Sequence, residues 1–254
     1  MTGTILNVVA ILIGGTLGTV MGSRLPEQLR KTVVAGLGLF VLALGIQNFL
    51  KTNNSLVPLA GLLIGALIGE WLQVEEAIRS LGGWLERTLI RRKNAPAREE
   101  AAGGVPAQAL TEQERFVRAF FTASLVFVVG PVAILGSLND GLRGDYQLLA
   151  VKAILDGFAS LAFASTLGIG VIFSALPILV YQGAITLGAG ALRGVMTPLM
   201  TDEMTAVGGL ILTAIGISSL LEIKPIRTGN FLPALLMTPL IVAILDALRI
   251  PWSN

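Results

Sequence analysis

The chain has 254 residues, 54% hydrophobic and 13% charged, with a formal net charge of +2 and a mean hydropathy of +0.79. A water-soluble domain carries about 25% charged residues, which cover its surface; a chain this poor in charge needs lipid, which solvates apolar side chains directly. With no cysteine and no histidine, disulfides, thiolate metal sites, a cysteine nucleophile, the usual haem, copper and zinc ligands and the usual neutral-pH acid–base group are excluded. We therefore expect a membrane protein that is not an enzyme, with no cofactor, no metal and no nucleic-acid partner; its basic residues lie between apolar segments rather than on one face.

A spanning helix needs about 20 mostly apolar residues. Eight stretches qualify, roughly 4–22, 33–50, 56–73, 116–137, 147–168, 171–192, 204–221 and 230–248. No basic residue precedes the first, and its charges follow it at Arg24, Arg30 and Lys31. That pattern predicts an uncleaved first helix with its N-terminus outside. The remaining loops agree. The inside segments would also hold Arg79, Arg87, Arg91, Arg92, Lys93, Arg98, Arg115, Arg118, Lys224 and Arg227, against Lys51, Arg143, Arg193 and Arg249 outside. Thirteen basic residues against four is the asymmetry of a multi-pass membrane protein with its N-terminus outside.

The segment 74–115 is the long hydrophilic piece. Ile78, Leu81, Leu85 and Leu89 share one helical stripe with Trp84 beside it, opposite Glu and Arg. This predicts an amphipathic helix, lying on the inner membrane surface or solvated. Asn94 to Ala109 is rich in Ala, Pro, Gly and Glu and reads as a linker. Thr111-Glu-Gln-Glu114 matches a capping box that would open the fourth span.

Residues 35–46 resemble 206–217 at six of twelve positions, among them Gly38 with Gly209 and Gly45 with Gly216, and Pro58 corresponds to Pro233 further on. The matched helices are the second and seventh, so they cross in opposite directions. The predicted fold is an all-α polytopic transmembrane bundle of about eight spans, a single membrane domain with broken helices. Its first repeat is 1–73 (helices 1–3), followed by the cytoplasmic segment 74–115, helices 4–5 in 116–170, and a second repeat in 171–254 (helices 6–8), inverted relative to the first. Small-residue packing is the competing explanation for the match.

Lys152 and Asp156 stand at i and i+4 in the fifth span and can pair on one face. Charges at membrane depth face the protein interior or a wet cavity and commonly bind ions or substrate; an interfacial pair is the alternative. Gly130-Pro131 interrupts the fourth span, removes a backbone donor and exposes a carbonyl, as broken transporter helices do, or simply kinks the helix. Asn139-Asp-Gly141 is expected to form the outer turn. Gln182 and Asn7 are amides in apolar surroundings and are expected to point into the bundle, tying helices together or touching a ligand.

The runs Gly130-Pro-Val-Ala-Ile-Leu-Gly-Ser-Leu-Asn-Asp-Gly141, Lys152-Ala-Ile-Leu-Asp-Gly157 and Tyr181-Gln-Gly183 resemble the YdfK/YqgA family of bacterial membrane proteins, a domain of unknown function. So do the opening Gly3-Thr-Ile-Leu-Asn7 and Gly208-Gly-Leu-Ile-Leu212. The resemblance covers nearly all of the chain outside 92–110 and implies a multi-spanning plasma-membrane protein, but names no substrate and no functional residues. The expected function is a small secondary transporter or permease for an ion or small metabolite, able to form a homo-oligomer, with Asp156, Lys152, Gln182, Asn7, Gly130 and Pro131 as its site. The alternative is a membrane adaptor or assembly factor that recruits a partner through 74–115.

Overall fold

The computed structural model describes residues 1–22, 26–90, 111–129, 131–192 and 196–252. Gly130 and the linker 94–109 lie outside the described residues. The helices are α1 (Thr2–Gly22), α2 (Glu27–Phe49), α3 (Leu56–Leu72), α4 (Val74–Leu85), α5 (Glu112–Val128), α6 (Pro131–Arg143), α7 (Gln147–Leu167), α8 (Ala175–Leu192), α9 (Pro198–Ile215) and α10 (Ala234–Ala247). Short 3-10 turns lead into α8 at Ile169–Ser174 and precede α10 at Thr228–Phe231, and π turns extend α4 and α9. No strand occurs among the described residues.

Six helical stretches are long and apolar enough to cross a membrane, and two bent pairs, α3 with α4 (53°) and α5 with α6 (62°), raise the number to eight if each is one span. Contact directions bear on the count. Gly14, Gly18 and Gly22 of α1 meet the carbonyls of Gly157, Leu161 and Ser165 in order, so α1 and α7 run parallel. Between two parallel helices an odd number of crossings intervenes; α2 supplies one, so α3 and the α5–α6 pair either both cross or both turn back. Along α10, Gly61, Gly65 and Gly69 of α3 meet Thr238, Ala234 and Asn230, which lays α3 antiparallel along a spanning helix. The directions thus fit eight passes.

Helix boundaries follow local chemistry. At the start of α5, the Glu114 N–H donates to Thr111 Oγ1 at 3.2 Å and the Thr111 N–H to Glu114 Oε2 at 2.8 Å, forming the expected capping box. Thr197 caps α9 through the Met200 N–H at 3.2 Å, with Pro198 in the first turn. Here α9 begins earlier than hydropathy suggests, because Asp202 and Glu203 lower the local hydropathy without breaking the helix. Helix α2 also starts earlier, at Glu27, where Glu27 and Lys31 pair across one turn at 2.9 Å.

Asn139-Asp-Gly141 does not form a turn. These residues continue α6, and the turn falls at Gly144, whose φ of 68° suits glycine. A Cβ at Gly141 would lie 2.2 Å from the Thr186 carbonyl oxygen, so here glycine serves close approach to α8. The amphipathic α4 docks on α5: Leu85 is buried with Phe116 and Phe120, Ile78 is half-buried beside them, and Leu81 and Trp84 stay exposed.

Helix α7 inverts the soluble pattern. Val151, Ile154, Leu155 and Phe158 face outward, while Lys152, Ala153, Asp156, Ser160 and Phe163 are buried. Lipid accepts the first set and the bundle interior must accommodate the second. Aromatic rings fill the core at α5, where Phe120, Phe121 and Phe127 are buried and Phe127 meets Phe163 of α7 with ring centroids 6.2 Å apart.

At Gly14, Gly18 and Gly22 the α1–α7 contact tolerates no side chain. A Cβ at Gly18 would lie 2.2 Å from the Leu161 carbonyl oxygen, whereas one at Gly36 of α2 would meet nothing within 4 Å. Gly18→Leu is therefore expected to destabilise the protein by about 1–3 kcal/mol or more through overpacking, and Gly36→Ala to be neutral or slightly stabilising; thermal unfolding of the detergent-solubilised variants measures both.

Candidate functional site

The site begins with a missing donor. In an α-helix the carbonyl of residue 127 accepts from the N–H of residue 131, but residue 131 is proline and has none. Helix α5 ends at Val128 and α6 leaves at an angle. The Phe127 carbonyl is taken instead by Lys152 Nζ of α7, at 3.1 Å. Lys152 also forms an ion pair with Asp156, one turn further along the same helix.

Asp156 lies near the middle of α7, and Lys152 about 6 Å toward its N-terminal end at 1.5 Å rise per residue. Both are buried, with 8% and 7% of their surface exposed. Asn7 of α1 binds Asp156 and Gln182 together: its Nδ2 donates to Asp156 Oδ2 at 3.0 Å and to Gln182 Oε1 of α8 at 3.3 Å. Asn7 and Gln182 are completely buried. Two of their atoms, Asn7 Oδ1 and Gln182 Nε2, have no hydrogen-bond partner among the described residues. One is an acceptor and the other a donor, so the cluster presents an unused polar pair beside a neutral ion pair.

Four of the six anticipated residues therefore converge: Asp156, Lys152, Gln182 and Asn7. Pro131 contributes through the carbonyl it leaves free. Gly130 is outside the described residues.

The sequence reading missed the polar groups that continue from this cluster toward the N-terminal end of α1. Thr4 and Thr186 hydroxyls lie 3.4 Å apart, and Asp140 of α6, anticipated in a turn, accepts the Gly3 N–H at 3.0 Å and lies 3.0 Å from the Met1 amine. On the other side of the cluster Ser160 donates to the Ile11 carbonyl at 2.9 Å. Helical spacing of Gly3, Thr4, Asn7 and Ile11 would have shown that one face of α1 carries these groups. It could not have shown that α6, α7 and α8 meet that face.

A second missed group is Glu203 of α9, fully buried. Its carboxylate accepts from Thr52 Oγ1 at 2.6 Å and from the N–H groups of Asn53 and Asn54 at 2.7 and 3.3 Å, holding the turn between α2 and α3. Neither Lys152 nor Asp156 lines the clefts at the end of the bundle where α2 and α5 begin. Both members of the pair are buried inside the bundle.

An all-helical bundle with apolar outer faces and a buried charge pair defines a polytopic membrane protein. The chain belongs to the family described as "Protein of unknown function (DUF554)", whose profile matches residues 2–243. It is 31% identical over 235 residues to the "Uncharacterized protein YqgA" of Escherichia coli (strain K12), covering 92% of this chain and 93% of that one. It is 29% identical over 251 residues to the "Uncharacterized membrane protein YdfK" of Bacillus subtilis (strain 168), covering 97% and 98%. No solved structure matches the chain.

Breaking a buried pair strands one charge, whereas replacing both partners with apolar residues does not. Lys152→Met and Asp156→Leu are each expected to cost about 3–5 kcal/mol, and the double variant less, about 1–3 kcal/mol, for the Phe127 carbonyl it leaves without a donor. Thermal unfolding in detergent compares them; a double variant as unstable as either single one would contradict this account of the pair.

Proposed function

We propose that the chain is a small secondary permease for an ion or small metabolite rather than an enzyme, placed in the bacterial plasma membrane with its N-terminus outside. The observation that carries this reading is the Lys152–Asp156 pair, buried between α1, α5, α7 and α8 beside an unpartnered acceptor on Asn7 and an unpartnered donor on Gln182. The Phe127 carbonyl accounts for a donor at position 152, which a neutral side chain could supply, but it does not call for an ionised pair. The orientation rests on the excess of Arg and Lys in the segments that would face inward.

The pair constrains the chemistry. A net charge at membrane depth costs a few kcal/mol or more, so the site stays near neutral throughout the cycle. An anion that displaces Asp156 from Lys152 brings a proton onto Asp156; a cation that takes Asp156 drives a proton off Lys152. Either way substrate movement is coupled to a proton and is electroneutral at this site. No Gly-x-x-x-x-Gly-Lys-Ser/Thr run occurs in the chain, so ATP bound here does not drive the step.

Access to the closed pair requires helices to move. Gly45 of α2 packs against Gly209 of α9, and Gly38 against Gly216. Exchanging each residue for its sequence counterpart turns the first contact into the second. Thr4 with Thr186 and Asn7 with Gln182 make α1 and α8 antiparallel, as α3 and α10 are. These contacts support an inverted repeat of helices 1–3 and 6–8, and rocking of one half against the other opens the site alternately.

The test is proton-linked flux in proteoliposomes loaded with a pH-sensitive dye and offered a panel of small inorganic and organic anions and cations. Wild-type protein should move protons with at least one substrate, and the folded Lys152→Met/Asp156→Leu double variant should lose at least about tenfold of that flux. Unchanged flux in the double variant removes the pair from the mechanism.

A further inference from the structure

The end of the bundle opposite the α1 N-terminus carries a cleft of about 420 Å³ between the start of α2, the start of α5 and the ends of α7 and α9. Arg30, Lys31, Arg115 and Arg118 line it, against the carboxylates of Glu27 and Glu222. Four cations against two carboxylates leave two positive charges in excess. The neighbouring cleft shows no such excess: Arg79, Arg118 and Arg227 are matched there by Glu75, Glu114 and Glu222.

The excess can be assigned to individual groups. Glu27 is held by Lys31 at 2.9 Å, and Glu222 by Arg118. Arg118 also donates its Nε to the Ser219 carbonyl at 3.1 Å, closing the end of α9. Arg30 uses Nε alone, on the Thr166 carbonyl at the end of α7, which leaves its two terminal nitrogens without an acceptor among the described residues. The Arg115 side chain makes no hydrogen bond or ion pair among the described residues, and its charge acts on Arg30 across the cleft. Two guanidinium groups with free donor edges thus share one concave site, and Glu27, the carboxylate nearest to both, is already paired with Lys31. Guanidinium matches phosphate by paired N–H donors, and basic pockets between membrane helices take phosphate headgroups.

We propose that this cleft binds a phosphate-bearing anion between Arg30 and Arg115, either the headgroup of an acidic lipid or a soluble phosphate. The assignment does not depend on the permease reading, since none of these residues contacts Lys152 or Asp156.

Two probes applied to the full chain separate the sources. Native mass spectrometry with equimolar phosphatidylglycerol and phosphatidylcholine reads a retained headgroup. Thermal unfolding in phosphatidylcholine nanodiscs, with inorganic phosphate against chloride at equal ionic strength, reads a soluble anion. One probe should bind the wild type about tenfold more tightly than Arg115→Gln, the loss of one charge-assisted contact. Arg30→Gln should weaken it likewise, and Arg143→Gln, at the opposite end, should leave it unchanged. Should Arg30→Gln fail to fold for want of its bond to Thr166, Arg115→Gln decides the matter, having no such bond to lose. Equal binding of both probes by wild type and Arg115→Gln overturns the proposal.

Discussion

The carbonyl of Phe127 is the group on which the rest of the interior depends. Proline at 131 denies it a helical donor, and no water is at hand in lipid to replace one. Lys152 meets that need and brings a charge, the charge requires Asp156, and Asp156 is fixed in turn by Asn7, which reaches on to Gln182. Each satisfied group creates the demand that the next one meets. The succession stops at Asn7 Oδ1 and Gln182 Nε2, so the place where a ligand would find unused hydrogen-bonding capacity is also the place where the internal sequence of needs runs out.

Glycine makes those meetings possible. Four-residue spacing of Gly14, Gly18 and Gly22 puts the α1 backbone directly against α7, which is what lets an asparagine, with its short side chain, reach across to Asp156. In lipid the hydrophobic effect does not press helices together, and close backbone contact with many dispersion interactions takes its place. The α2–α9 and α3–α10 contacts use the same device in antiparallel sense. A bundle held by such close backbone contacts resists added side chains.

The two ends of the molecule differ in how their charges are used. Near the α1 N-terminus, carboxylates are consumed by backbone donors, as Glu203 is by the α2–α3 turn and Asp140 by Gly3. At the other end, arginines close the C-termini of α7 and α9 by binding Thr166 and Ser219. The α3–α4 elbow is held there by Glu70 with Arg227 and Asn230, and by Glu75 with Arg79 and Gly229. In the cleft of Arg30 and Arg115, cationic charge exceeds what the described residues lining it employ.

Sequence alone determined the membrane-spanning helical class, because mean hydropathy and segment length are sums over residues and need no neighbours. It also determined the Thr111–Glu114 cap and the i, i+4 pairing of Lys152 with Asp156, since both are set within one turn of helix. Hydropathy misplaced the start of α2 and α9 and took Asn139-Asp-Gly141 for a turn, because polar residues at a helix end lower the local average whether or not the helix stops. What only the tertiary structure decided is which helices meet. Asn7 and Asp156 are 149 residues apart, Glu203 and Asn53 are 150 apart, and Arg30 reaches Thr166 across 136. Nothing in the local chemistry of either partner specifies the other; packing of helix faces across the bundle does.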